Sequence, residues 1–197
     1  AIASKFKINE INRILPFYDQ DIIEDDQARF LHVKIKNINL ICLYLPNGNP
    51  APGPKYDYKI NWMKRLIKYT EDIYNKNEPL ILGGDFNVIQ EDKDCYDISK
   101  WHDDALYLEK TRRHMKELIN IGLIDSYRLK YPNLKEYSFW DYQAGAWQKD
   151  NGIRIDFFLI SPEIVDILTD VGIDKIPRGQ EKPSDHTPIW IEIEKKF

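Results

Sequence analysis

The chain has 197 residues, 43% hydrophobic and 30% charged, with a formal net charge of −4 at pH 7. This composition excludes a disordered or fibrous chain, and it excludes a protein that coats nucleic acid by bulk positive charge. No apolar run approaches the roughly 20 residues of a membrane span, and the opening AIASKFKINE resembles neither a signal peptide nor a transit peptide.

The length fits a single domain over residues 1–197. Ala1-Ile2-Ala3 read as the tail of a strand already under way, so a segment before Ala1 is expected. Further on, Phe30, His32, Lys34 and Lys36 alternate with Leu31, Val33, Ile35 and Asn37, the period of a strand with one apolar face. Asn37-Ile38-Asn39 turns the chain into a second strand, Leu40 to Leu45. The loop PNGNPAPGP is too rich in turn formers to be helical.

Ile60, Met63, Ile67 and Tyr74 then predict a helix over Tyr56 to Asn77, widened by Leu66 and Ile73 and closed before Pro79. A strand follows at Leu80 to Gly83. Met115, Leu118 and Ile119 predict a helix from about Glu109 to Ile121, ended by Gly122. Glu136 to Tyr142 and Ile153 to Ser161 read as strands, a short helix starts at Pro162, and Thr187 to Glu194 alternates as the last strand. Strands interspersed with amphipathic helices define a layered α+β or α/β fold.

Cys42, inside Ile41-Cys42-Leu43, is expected to be a buried thiol, whereas Cys95 lies in the polar stretch EDKDCYD. Two cysteines so differently placed suggest neither a disulfide framework nor a zinc site, and point to a reducing, cytoplasmic compartment.

Three segments carry polar chemistry at the ends of apolar runs: LILGGDFNV with Asp85 and Asn87, IRIDFFLIS with Asp156, and KPSDHTPIWIEI with Asp185 and His186. A carboxylate among Ile155, Phe157, Phe158 and Leu159 is costly to bury without a partner, and His186 is a natural one. Each motif alone has a plainer reading: Asp85 and Asn87 as turn chemistry, Ser184-Asp185-His186 as a turn before a strand, Asp156 as a solvent-facing strand position. Their co-occurrence favours a site.

The ordered set GGDFN, RIDFFLIS and KPSDHTPIW, with YLPNG and YSFWDYQ, resembles the exonuclease III family of AP endonucleases, within the endonuclease/exonuclease/phosphatase superfamily of DNase I-like fold. The resemblance implies a four-layer α/β/β/α sandwich, incomplete at its N-terminus. It also implies a DNA-repair nuclease that cuts the phosphodiester at abasic sites and trims 3′ ends with Mg²⁺ or Mn²⁺, acting on DNA as a monomer away from membranes. In that family pattern His186 pairs with Asp156, Asp85 positions or deprotonates the attacking water, and Asn87 and Tyr44 reach the phosphate. Asp185, Asp85 and Asn87 would hold the cation. Phe139 and Trp140 would wall the abasic-sugar pocket, although at least one of them is expected to be plain strand packing, and Arg112 and Arg154 would face DNA, with Lys55 and Lys59 as weaker candidates.

His186 could act as an imidazolium if Asp156 raises its pKa, or as a neutral hydrogen-bond donor. Two departures stand out. The Asn-bearing first strand and the Gln-Glu segment of the family pattern have no counterpart here, so weak metal affinity is expected. Ile153 precedes Arg154 where some relatives carry Trp. The competing readings are a phosphodiesterase acting on RNA or a lipid headgroup, and an inactive fragment that only binds nucleic acid or a partner.

Overall fold

A computed structural model describes residues 1–16, 25 and 27–194. In chain order the elements are β1 Ile8–Asn12, β2 Phe30–Ile35, β3 Ile38–Tyr44, α1 Pro54–Tyr74, β4 Leu80–Asp85, α2 Glu109–Asn120, β5 Ile124–Asp125, α3 Ser126–Lys130, β6 Asp156–Ile160, α4 Pro162–Val165, β7 Leu168–Ile173 and β8 Ile189–Ile193. They build a six-stranded sheet in the order β1-β2-β3-β4-β6-β5 and a two-stranded sheet, β7-β8.

Helix α1 is the crossover that lets β3 and β4 run parallel, with Tyr44 level with Asp85. Pro54 starts it in the first turn, where a missing N–H costs nothing. Its stripe of Ile60, Met63, Leu66 and Ile73 packs with Met115 and Leu118 of α2 onto one face of the large sheet. Strand alternation decides which residues meet them. Leu80, Leu82, Phe157 and Leu159 point to the helices. Ile81 and Ile160 point the other way, onto Ile164, Ile167 and the apolar sides of β7 and β8. Each such side chain contributes roughly 1.5–3 kcal/mol by leaving water. Among the described residues this is a three-layer arrangement: helices, large sheet, small sheet.

Several sequence expectations are corrected. Ala1–Ala3 lie in no strand, and the first strand, β1, pairs antiparallel with β2 at the sheet edge. The YSFWDY segment is not a strand; only Phe139 bridges to Ile153 and to His186. Strand β6 begins at Asp156 rather than Ile153. The two thiols are reversed, with Cys42 half-buried and Cys95 buried. In β2 the side that looked polar is also inside, because Phe30 and His32 both pack against Tyr69 of α1. Among the described residues, no helix is long and apolar enough to cross a membrane.

Candidate active site

The polar residues of the three motifs converge because β3, β4 and β6 are adjacent. Tyr44 sits beside Asp85 in the parallel pair, and Asp85 is the Cα partner of Asp156 in the antiparallel pair. One rung at the end of the sheet therefore carries Tyr44, Asp85 and Asp156. Gly84 permits this close spacing: its φ is +145°, and a Cβ there would lie 1.9 Å from the Leu43 carbonyl oxygen.

Asp156 accepts from Ser138 Oγ at 2.6 Å and bonds His186 Nδ1 at 2.8 Å. His186 Nε2 is 3.9 Å from Asp85 Oδ2. The imidazole is thus held through one nitrogen while the other faces the second carboxylate. Ser138 Oγ also accepts from the backbone N–H groups of Ile155 and Asp156, which locks it under the carboxylate. Phe139 closes the outer side of the imidazole, its ring centroid 5.0 Å away.

The electrostatics follow from burial and crowding. Burial first, and then the Asp156 charge, push the Asp85 carboxyl up to about 7, despite the opposing pull of His186. Burial alone would lower the pKa of His186, but its bond to Asp156 and the surrounding carboxylates raise it on balance. A proton therefore resides on the imidazole more readily than in a free histidine.

Asn87 has φ +47°, a left-handed conformation that asparagine tolerates. Its backbone N–H and Nδ2 both bond Asp85, at 2.8 and 3.0 Å. The other Nδ2 proton goes to the Leu45 carbonyl at 2.9 Å, and Oδ1 accepts from Asn47 Nδ2 at 3.1 Å. Both Asn87 amide protons are thus engaged, one of them on Asp85, which the side chain helps to orient. The exposed neighbouring amide is Asn47, within the quoted YLPNG but not singled out from sequence. Tyr44 is 49% exposed at the same edge, with the Arg29 guanidinium over its ring.

Other expected residues fall elsewhere. Arg154 does not face nucleic acid: it is buried, bonded by Asp94 and in a two-pronged pair with Asp125. Trp140 is fully buried, its indole N–H given to Asp150, so it packs rather than lines a substrate pocket. Lys59 is also buried, donating to the carbonyls of Asn47, Asn87 and Ala105. It ties together the loops behind Asp85 instead of meeting solvent. Arg112 does reach the surface, lying over Tyr107 and 3.4 Å from Asp92. Asp185 is half-buried just before His186, and its carbonyl accepts from the Trp140 N–H. Among the described residues, no three His, Cys, Asp or Glu side chains are grouped to hold a metal.

A half-buried carboxylate pair bridged by an imidazole at the strand ends of a layered α+β fold is a proton-handling site suited to hydrolysis. The model of the Endonuclease/Exonuclease/phosphatase family matches residues 1–186, and the chain belongs to that family. It is 30% identical over 170 residues to an exodeoxyribonuclease of Bacillus subtilis, covering 86% of this chain and 65% of that protein. It is 30% identical over 182 residues to exodeoxyribonuclease III of Haemophilus influenzae, covering 86% and 68%.

Among solved structures, the 3′ phosphatase NExo from Neisseria bound to a product DNA hairpin superposes with a TM-score of 0.84 at 34% identity, covering 87% of this chain and 66% of that one. An AP endonuclease from Archaeoglobus fulgidus superposes with a TM-score of 0.82 at 32% identity, covering 86% and 66%. The chain thus spans about two thirds of the length of these relatives.

Proposed function

We propose that the protein is a DNA-repair nuclease of the exonuclease III type, hydrolysing phosphodiesters at abasic sites and at 3′ ends. The observation that carries this reading is His186, bound to Asp156 through Nδ1 and turned toward Asp85 through Nε2. The names of the relatives, exodeoxyribonuclease III and AP endonuclease, support the substrate class. DNA bearing an abasic site or a free 3′ end is the partner, met by a monomer in the cytoplasm.

In this reading Asp85, with a carboxyl near 7, takes a proton from water as the water oxygen bonds phosphorus and the bond to the leaving sugar oxygen breaks. His186 donates from Nε2 to a phosphoryl oxygen, and its bond to Asp156 keeps the imidazole charged and oriented. Asn87 aims Asp85, Asn47 and Tyr44 offer donors at the rim, and Arg112 meets the phosphate backbone. Mg²⁺, or Mn²⁺ in its place, belongs to the same proposal as a counter-charge for the phosphoryl oxygens. The described residues do not complete its coordination, and no step above runs through it.

That same shortfall of donors favours a second reading, a chain that binds DNA without turning it over. Cleavage of a duplex with one abasic site separates the two. The first reading expects Mg²⁺-dependent cutting that drops at least about 100-fold in His186→Ala and in Asp156→Asn, with unchanged circular dichroism. Wild-type rates in either variant would sink the assignment, and binding without any cutting across a Mg²⁺ titration would establish the second reading.

A further inference from the structure

We propose that Arg178 is a positioning residue for His186: it fixes the backbone of Trp140, and through it the segment that presents the imidazole. His186 lies ahead of β8, and its main chain is held by the Ser138–Trp140 segment rather than by a long strand or a helix. Phe139 bridges His186. On either side of that bridge the Trp140 N–H donates to the Asp185 carbonyl at 2.9 Å, and the Thr187 N–H donates to the Ser138 carbonyl at 2.8 Å. The imidazole reaches Asp156 from this short ladder, so its place depends on where Ser138–Trp140 lie.

Arg178 holds that ladder from behind. It sits in the single turn Pro177–Gly179 and is buried. Its Nη2 donates to the Trp140 carbonyl at 3.1 Å, so both backbone polar groups of Trp140 are engaged, one with Asp185 and one with Arg178. Trp140 is fully buried, and its carbonyl would be stranded away from water without the guanidinium. Two rings fix the guanidinium in turn: its central carbon lies 5.4 Å from the ring centroids of Tyr142 and of Trp147. Trp147 meets Trp140 edge-on at 4.9 Å, and the Tyr142 hydroxyl donates to the Pro183 carbonyl at 2.9 Å. The turn at Arg178, the aromatic segment and the stretch leading into His186 therefore meet at one side chain. Stability alone does not favour this choice. Arg178 Nε is buried with no acceptor among the described residues, a cost that an apolar side chain would avoid. A flat donor held between rings sets an orientation as well as a distance, which an apolar side chain or an ammonium does not.

The inference rests on the phosphodiesterase reading only in the kinetic half of its test. The first half reads the place of the imidazole in the free chain, from the nuclear Overhauser contact between the His186 and Phe139 rings, whose centroids are 5.0 Å apart. The contact between Phe86 and Phe157, 5.5 Å apart in the core, is the internal control. In Arg178→Met the first contact should lose most of its intensity while the control stays, and Arg178→Lys, which restores a donor, should recover part of it. If Arg178→Met does not fold, Trp147→Leu, which removes one ring beside the guanidinium, takes its place and should weaken the same contact. A His186–Phe139 contact of wild-type intensity in the folded variant overturns the proposal. In the kinetic half, Arg178→Met acting on an abasic duplex should show kcat lower by at least about tenfold with KM within about twofold, because a displaced group costs rate more than binding. A wild-type kcat overturns the proposal as well. Loss of the ring contact in a chain that cuts nothing would keep the positioning role and remove the nuclease reading; cleavage with an unchanged ring contact would do the reverse.

Discussion

Asp85 and Asp156 are Cα partners across β4 and β6, two carboxylates set side by side at the end of the central strands. Sheet register fixes the proximity of their Cα atoms. The fold tolerates it because His186 bonds one carboxylate and approaches the other, and because Asn87 gives two N–H groups to Asp85.

The pair costs stability, as sites built for reaction commonly do. Asp85→Asn removes the charge that burial and Asp156 oppose most strongly. It is expected to raise the urea midpoint by an amount equivalent to about 1–2 kcal/mol, since the amide has no charge to desolvate. The same variant should lose abasic-site cleavage. A fall in stability together with activity would mean that the carboxylate is structural.

Lys59 is held by three carbonyls, those of Asn47, Asn87 and Ala105, so all three of its protons have acceptors. Burial pulls its pKa down to about 7, opposed by the charges of Asp104 and Asp85. The aliphatic stem also fills the space beside Gly48, where an added Cβ would lie 2.6 Å from Lys59 Cδ. Lys59→Met keeps much of the stem but strands the buried Asn87 carbonyl, while Ala105 keeps the Thr111 hydroxyl and the Asn47 carbonyl is only part-buried; a stranded acceptor costs roughly 1–3 kcal/mol. A loss of about 1–3 kcal/mol in chemical denaturation is expected. A loss below 1 kcal/mol would show that the loops do not depend on the ammonium.

The sequence made the strand ends readable because an apolar run followed by Asp, Asn or His has few other uses. LILGGDFNV and IRIDFFLIS are β4 and β6, and their polar ends meet. What stayed hidden was which polar residues point inward, since the partner in each case is distant in the chain. Arg154 finds Asp94, 60 residues earlier, and Asp125, 29 earlier. Its place between Ile153 and Ile155 was the available signal. Lys59 lies four residues before Met63, on the buried stripe of α1, so helical spacing alone would have placed it inside. Ser138 left no mark beyond being a small hydroxyl residue in an aromatic segment. His32 was masked because β2 buries residues on both faces near the helix.

His32 sets a pH dependence of stability. Its ring bonds the Tyr69 hydroxyl at 2.7 Å and Asn39 Oδ1 at 3.2 Å, and burial lowers its pKa below the ordinary 6.5. The unfolded chain therefore takes up this proton first as pH falls through 6.5, and folding stability declines below that value. The slope from one such group is at most about 1.4 kcal/mol per pH unit. His186, whose pKa is raised, acts with the opposite sign, so the difference between wild type and His32→Gln isolates the effect. Urea midpoints at pH 7.5 and 5.5 should converge in the variant more than in wild type; parallel declines would refute the role.

Arg112 and Arg154 resemble one another in sequence as basic residues near the site, and the structure separates them. The Arg154 guanidinium is buried between Asp94 and Asp125 and stacked 4.4 Å from the Phe157 ring centroid. Arg154→Met leaves Asp125 without its ion pair, while Asp94 keeps Arg128, and should cost about 3–5 kcal/mol of stability. The Arg112 side chain keeps 27% of its surface in solvent, and its pair with Asp92 is long. Arg112→Gln should change stability by less than about 1 kcal/mol. It should weaken DNA binding and lower the slope of log affinity against log salt by about one. Below its melting temperature, Arg154→Met should keep the wild-type slope, because a buried guanidinium releases no counterion from DNA. Fluorescence anisotropy at four salt concentrations distinguishes the two, and a reduced slope in Arg154→Met would return that residue to the DNA-facing surface.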